Sequence, residues 1–234
     1  MQGAVAAGMR RVPFTLAFLG VMLVANALAG TFSGQINPAV LAARGIGVDA
    51  IRDGDLLRFA TAIFLSHDLS MLLRQLVFAA IVIGTAEWLW GSRRTAGLFF
   101  GIDVTATVIL LAAVALIPHF AGLAGATDVG MSLGGFGLIG VLIAPRRGAV
   151  VWLVAILGLV AAKYAIAPEP VADGGHFIAL ILGFSTGFYG SPIPGLAIAP
   201  PVVQQRSTAG RAGGHAAEGG LEEYTGGRQQ DDQR

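Results

Sequence analysis

Six apolar runs, separated by short polar or proline-containing stretches, constrain this chain more than any other feature. They lie at residues 12–30, 69–90, 96–117, 129–144, 149–166 and 174–189. A run of about 20 apolar residues is the length at which a helix, rising 1.5 Å per residue, crosses roughly 30 Å of hydrocarbon. Only 12% of the residues are charged, about half the fraction usual in a soluble domain, and mean hydropathy is +0.72. The expected fold class is therefore an all-α membrane protein with six transmembrane helices. A net charge of +1 offers no basic surface for nucleic acid. The absence of cysteine excludes disulfides, a thiolate nucleophile and a thiolate metal site.

The connections carry most of the remaining charge. Arg10-Arg11 precede the first run, a pattern shared with signal peptides. That run is long for such a role and other spans follow it, so it reads as a retained first helix. Residues 31–57 hold Pro38, a short apolar patch at 39–43 and the cluster Asp49, Arg52, Asp53 and Asp55. The stretch is too long for a turn and too polar to span, which predicts short helices at the membrane surface. Pro145-Arg146-Arg147 stop the fourth run, and Pro168-Glu169-Pro170 the fifth. Beyond Pro192 the chain turns to Pro, Gly, Gln and charge without apolar periodicity. A disordered polar tail is expected over 196–234, after a membrane domain over 1–195.

Six spans put both termini on one side. Arg10-Arg11, Arg93-Arg94 and Arg146-Arg147, with Arg206 and Arg211, then share a face. The opposite connections hold Arg44, Arg52 and Arg58 among acids, and no arginine at 118–128 or 167–173. By the positive-inside tendency both termini are cytoplasmic in a multi-pass protein of the cell membrane. Trp88, Trp90 and Trp152 fall near the cytoplasmic ends of their spans, where an aromatic belt places them.

Within the fourth run, five of the twelve residues at 129–140 are glycine and one is Ser132. Glycine costs roughly 1 kcal/mol relative to alanine in a helix, a cost offset in a bilayer when small residues let helix backbones touch. Gly130, Gly134 and Gly137 recur at helical spacing. In the sixth run His176, Ala179, Gly183 and Gly187 form one small-residue stripe headed by a histidine. The topology puts Ser132, His176, His67 and Gln75 at similar depth near the outer third of the membrane. Polar groups there are expensive and mark functional sites. Close packing of the fourth and sixth helices can bring the hydroxyl to the imidazole, which suffices for nucleophilic catalysis. Arg74 and Lys163 read as snorkelling cations, and Asp103 has no partner evident from the sequence.

The order and spacing of these motifs resemble the rhomboid intramembrane serine proteases over roughly residues 10–190. Gly130-Met131-Ser132 resembles that family's Gly-x-Ser, with Gly140 eight residues on, and His176 followed by Gly183 is similar to its histidine helix. Residues 57–67, which contain Arg58, resemble its first-loop motif, and Gly84-Thr85-Ala86-Glu87 the end of its second helix. Phe136 matches the aromatic that packs on the family's histidine. The resemblance implies a rhomboid-like six-helix bundle with an interfacial first loop. It implies a serine endopeptidase in which Ser132 attacks and His176 acts as base and then acid. The oxyanion would be held by backbone N–H groups at Met131 and Ser132 and by Gln75. Gly130, Phe136, Gly140, Gly183, Arg58 and Glu87 would support the site. The implied partner is a membrane-anchored protein cleaved near the outer face, within membrane lipids, and no metal or organic cofactor is implied.

The chain departs from the family in three places. Leu133 follows the serine where glycine is usual. Counting back from Glu87, Gln75 stands where an asparagine is common and Met71 where a histidine is common; counting forward from His67 puts Leu76 and Leu72 there instead. These departures motivate a second reading, a proteolytically inactive rhomboid-like protein that binds membrane helices. A transporter is less well supported, since neither an internal repeat nor paired broken helices are seen.

Overall fold

The apolar runs become helices that differ in length by a factor of two. The computed structural model describes residues 12–190, all within one unit of internal contacts, Met1–Ile198. The expected tail over 196–234 lies outside the described residues, as do Arg10, Arg11, Arg206 and Arg211.

In chain order, α1 is Pro13–Leu28, opened by a proline at its first position, where no hydrogen-bonding N–H is needed. The first loop forms short helices, α2 (Pro38–Arg44), α3 (Val48–Arg52) and α4 (Arg58–Thr61), with 3₁₀ turns at Thr31–Ser33 and Ala62–Phe64. Then come α5 (Leu69–Trp90), α6 (Ser92–Leu116), the 3₁₀ segment Pro118–Leu123, α7 (Ser132–Ile143), α8 (Ala149–Ile166) and α9 (Pro170–Tyr189). No strand occurs among the described residues; two isolated bridges, Gln35 with Asp68 and Ile46 with Asp128, tie the loops. The protein is an all-α chain whose helices α5, α6, α8 and α9 are long and apolar enough to cross a membrane.

Three sequence expectations are corrected. Helix α6 begins at Ser92 and α9 at Pro170, each four residues before its expected start. Pro170 opens a helix instead of only closing the previous one. Helix α7 has 12 residues, about 18 Å at 1.5 Å each, and Gly130 lies before it in a turn. The periodicity of Gly130 with Gly134 and Gly137 is therefore not a helical stripe.

Helix α7 is central, in contact with α5, α6 and α9, most extensively with α9. Its glycines make that possible. A Cβ on Gly183 would overlap the Gly137 carbonyl oxygen, and one on Gly140 would lie 2.5 Å from the Leu180 carbonyl oxygen and the Phe184 nitrogen. On the other sides, Gly134 receives the Phe99 ring of α6 and Gly135 the Phe78 ring of α5. Helix α1 packs on α5 and is capped by it. The Glu87 carboxylate accepts from the N–H groups of Phe14 at 2.8 Å and Thr15 at 2.7 Å, and also from the Ser92 hydroxyl. Those are first-turn donors that no intrahelical carbonyl reaches. Arg58 staples the first loop by donating to Asp55 at 2.9 Å and to the Ala42 carbonyl at 3.0 Å.

Candidate active site

The chain reaches the site through a turn shaped by backbone pairing. Ile46 and Asp128 exchange two N–H···O bonds of 2.8 Å, and Gly130 N–H donates to the Ala62 carbonyl at 2.9 Å. Gly130 has φ +129°, and a Cβ there would overlap the Gln75 amide nitrogen. Only glycine meets both conditions without strain. Met131 is fully buried in the core with Leu72, so its side chain takes no part in the cleft. Ser132 is the first residue of α7.

From α9, His176 places its Nε2 2.9 Å from Ser132 Oγ. The imidazole lies flat against Phe136, with ring centroids 4.3 Å apart and planes at 21°. Ser132 and Phe136 are four residues apart, so they share a helix face. The same turn of α7 thus supplies the hydroxyl and the surface that fixes its imidazole partner. Phe136 in turn meets Phe78 of α5 at 5.7 Å. A hydroxyl within hydrogen-bond reach of an imidazole is the arrangement that activates a nucleophile.

The first turn of α7 also supplies donors. Gly135 N–H bonds the Met131 carbonyl at 3.1 Å, and Gly134 N–H donates to Asp103 Oδ1 of α6 at 2.8 Å. Asp103, 4% exposed, therefore caps a helix other than its own, in place of Met131, whose side chain makes no cap bond. The N–H groups of Ser132 and Leu133 make no hydrogen bond among the described residues, and neither does that of Met131, the donor expected beside Ser132. They point, with the helix dipole, toward the cleft end of α7.

Gln75 is buried on α5 and accepts the Ser66 hydroxyl through Oε1 at 2.6 Å, which turns its amide nitrogen toward Gly130. Ser66 N–H is held by Asn26 Oδ1 at 2.9 Å, and the Asn26 amide donates to the Met22 and Phe64 carbonyls at 2.9 and 2.8 Å. A polar chain thus runs from α1 through Asn26 and Ser66 to Gln75. Met71 adds no strong donor to the cleft; its sulfur accepts His67 N–H at 3.4 Å. Leu133 points away from the hydroxyl, its Cδ1 3.0 Å from where a Cβ of Gly175 would stand.

Ser132, His176, Phe136, Gln75 and Met71 line a cleft of about 770 Å³ that also holds His67, Arg74, Asp128 and Lys163. His67 lies before α5, with Nε2 3.3 Å from Asp128 Oδ1. Arg74 is exposed and donates to Ser70 Oγ at 2.7 Å. Lys163 does not snorkel freely; it pairs with Glu169 and, at 3.0 Å, with Asp173. Asp173, Asp128, Asn26 and Ser66 went unrecognised in the sequence. Only Asp173 carried a local signal, three residues before His176 on the same helix. Among the described residues no three His, Asp or Glu side chains gather into a metal-binding group. Neither protein-family models nor the curated proteins contain a match to this chain.

Proposed function

We propose that the protein is a rhomboid-like intramembrane serine endopeptidase that cleaves a membrane-anchored protein near the outer membrane boundary. The observation that carries this reading is the 2.9 Å contact between Ser132 Oγ and His176 Nε2, with the imidazole stacked on Phe136. In this reading Ser132 attacks the scissile carbonyl while His176 removes the hydroxyl proton and later delivers it to the leaving amine. The N–H groups of Ser132 and Leu133 and the amide of Gln75 stabilise the oxyanion. Loss of one such donor typically costs about 2.7–4 kcal/mol. The usual glycine after the nucleophile is dispensable here, because Leu133 keeps its N–H and buries its side chain between helices.

The test is labelling by a fluorophosphonate probe on the purified full chain. Wild type is expected to be labelled, with labelling lost in Ser132→Ala and His176→Ala. Wild type left unlabelled, with a transmembrane peptide still bound, would favour the inactive helix-binding reading that Met71 and Gln75 motivate.

A further inference from the structure

Two polar atoms beside the dyad, one of them a buried carboxylate oxygen, face each other without a hydrogen bond. Asp173, 1% exposed, sits one helical turn before His176, with Oδ1 4.0 Å from His176 Nδ1. Its other oxygen is engaged: Oδ2 accepts Glu169 N–H at 2.9 Å and Lys163 Nζ at 3.1 Å. Lys163 Nζ also lies 3.0 Å from Oδ1 as an ion-pair contact, yet Oδ1 accepts no hydrogen bond. His176 Nδ1 has no hydrogen bond among the described residues either. A buried carboxylate oxygen left this way calls for an explanation. Residues three apart on a helix are neighbours, and about 1 Å of closure brings the pair to hydrogen-bond distance. Stacking on Phe136 leaves the imidazole free to turn in its own plane, and such bonds often tighten only when substrate is bound.

We infer that Asp173 is a positioning residue for the proposed reaction, accepting His176 Nδ1–H and so making the site a Ser132–His176–Asp173 triad. The inference rests on the peptidase reading. A neutral imidazole carries one N–H. With that hydrogen on Nδ1 and directed at Asp173, Nε2 is left as the acceptor that Ser132 requires. When Ser132 Oγ bonds to the carbonyl carbon, its proton moves to Nε2 and the ring becomes a cation beside the Asp173 carboxylate. The proton then leaves Nε2 for the departing amine nitrogen as the peptide C–N bond breaks. Lys163, shared with Glu169, anchors the carboxylate. The alternative is that Asp173 only caps the start of α9 through Glu169 N–H.

Asp173→Asn separates the two, because it keeps the oxygen for Glu169 N–H and leaves Lys163 with Glu169, but removes the charge facing His176. In the purified full chain, the maximal rate of fluorophosphonate labelling should fall at least about tenfold, a part of the 10²–10⁴ that a positioned acid–base group supplies. The half-saturating probe concentration should stay at the wild-type value, and Asp173→Glu should restore part of the rate. Nitrogen-15 NMR of labelled histidine should find His176 as the Nδ1–H tautomer in wild type and mixed with the Nε2–H tautomer in Asp173→Asn. Wild-type labelling rates in Asp173→Asn, or an Nε2–H tautomer in wild type, would overturn the inference while leaving the dyad intact. Wild type that is never labelled would sink the peptidase reading, and the tautomer would still decide whether Asp173 holds the ring. Should Asp173→Asn fail to fold, the wild-type tautomer decides alone.

Discussion

Asp128 joins the two loops that deliver the site. It pairs its backbone with Ile46, accepts Val129 N–H at 2.8 Å through Oδ1, and holds His67 with the same oxygen. The hydrogen bond to Asp128 raises the His67 pKa, against a smaller opposing effect of burial and with further help from the Asp128, Asp68 and Glu169 charges. The sign follows from linkage: a raised folded-state value means the folded protein binds the proton more tightly. The stabilisation is complete below the unfolded value of about 6.5 and is lost as pH rises through the higher folded value. Asp128→Asn keeps the acceptor for Val129 and removes the charge. Its thermal midpoint should fall below that of wild type near pH 5.5 and converge with it by about pH 9. An equal deficit at both pH values would contradict this account.

At the scale of elements, the contact of α7 with α9 sets the distance between hydroxyl and imidazole. Gly137, Gly140 and Gly183 bring the two backbones together with no side chain between them, and Gly187 sits against the Ala144 methyl and the Val141 backbone. Van der Waals packing of this kind is what associates helices in a bilayer, where lipid is as apolar as leucine. Gly183→Ala must push Gly137 away. It should destabilise the protein by about 1–3 kcal/mol, the usual cost of overpacking, and slow labelling of Ser132 as the helices part. Gly158 of α8 has open space where a Cβ would stand. Gly158→Ala is therefore the control, expected to be neutral or to stabilise by up to about 1 kcal/mol through helix propensity. Thermal unfolding in detergent, read alongside the labelling rate, checks both. Equal effects from the two substitutions would refute the close-packing argument.

For the whole molecule, the short helix is inside and the long ones surround it. Eight of the twelve residues of α7 are buried and the other four half-buried, whereas α8 buries only Val160 and presents an apolar surface on its remaining sides. Being too short for the hydrocarbon layer costs α7 little when protein surrounds it, since its polar N-terminus then meets a cleft rather than lipid. Arginine placement predicts an orientation in which the α7–α8 connection is cytoplasmic and the α8–α9 connection is external. The chain contains no cysteine, so single cysteines report topology directly. In intact cells, a membrane-impermeant maleimide should label a cysteine at Glu169 and spare one at Arg147 until the cells are permeabilised. The reverse pattern would invert the topology and place the dyad on the cytoplasmic side.

The sequence by itself determined that the chain is helical and apolar, roughly where each long helix lies, and which serine and histidine deserved attention. Hydropathy and residue size are properties of single residues and short windows, so a run or a small-residue stripe can be read without knowing what it meets. Pro170 and Gly130 show the limit of that reading: one opens a helix it was expected only to close, the other stands in a turn outside the helix its spacing suggested. Only the tertiary structure decided that Asp103 caps α7, that Asn26 and Ser66 orient Gln75, and that Lys163 and Asp173 stand beside His176. Apart from Asp173 and His176, neighbours on α9, those contacts join groups from different parts of the fold, 40 residues apart for Asn26 and Ser66, and hydrogen bonds form only within about 3 Å. Such distances depend on how helices cross and rotate against one another, which no local pattern of residues encodes.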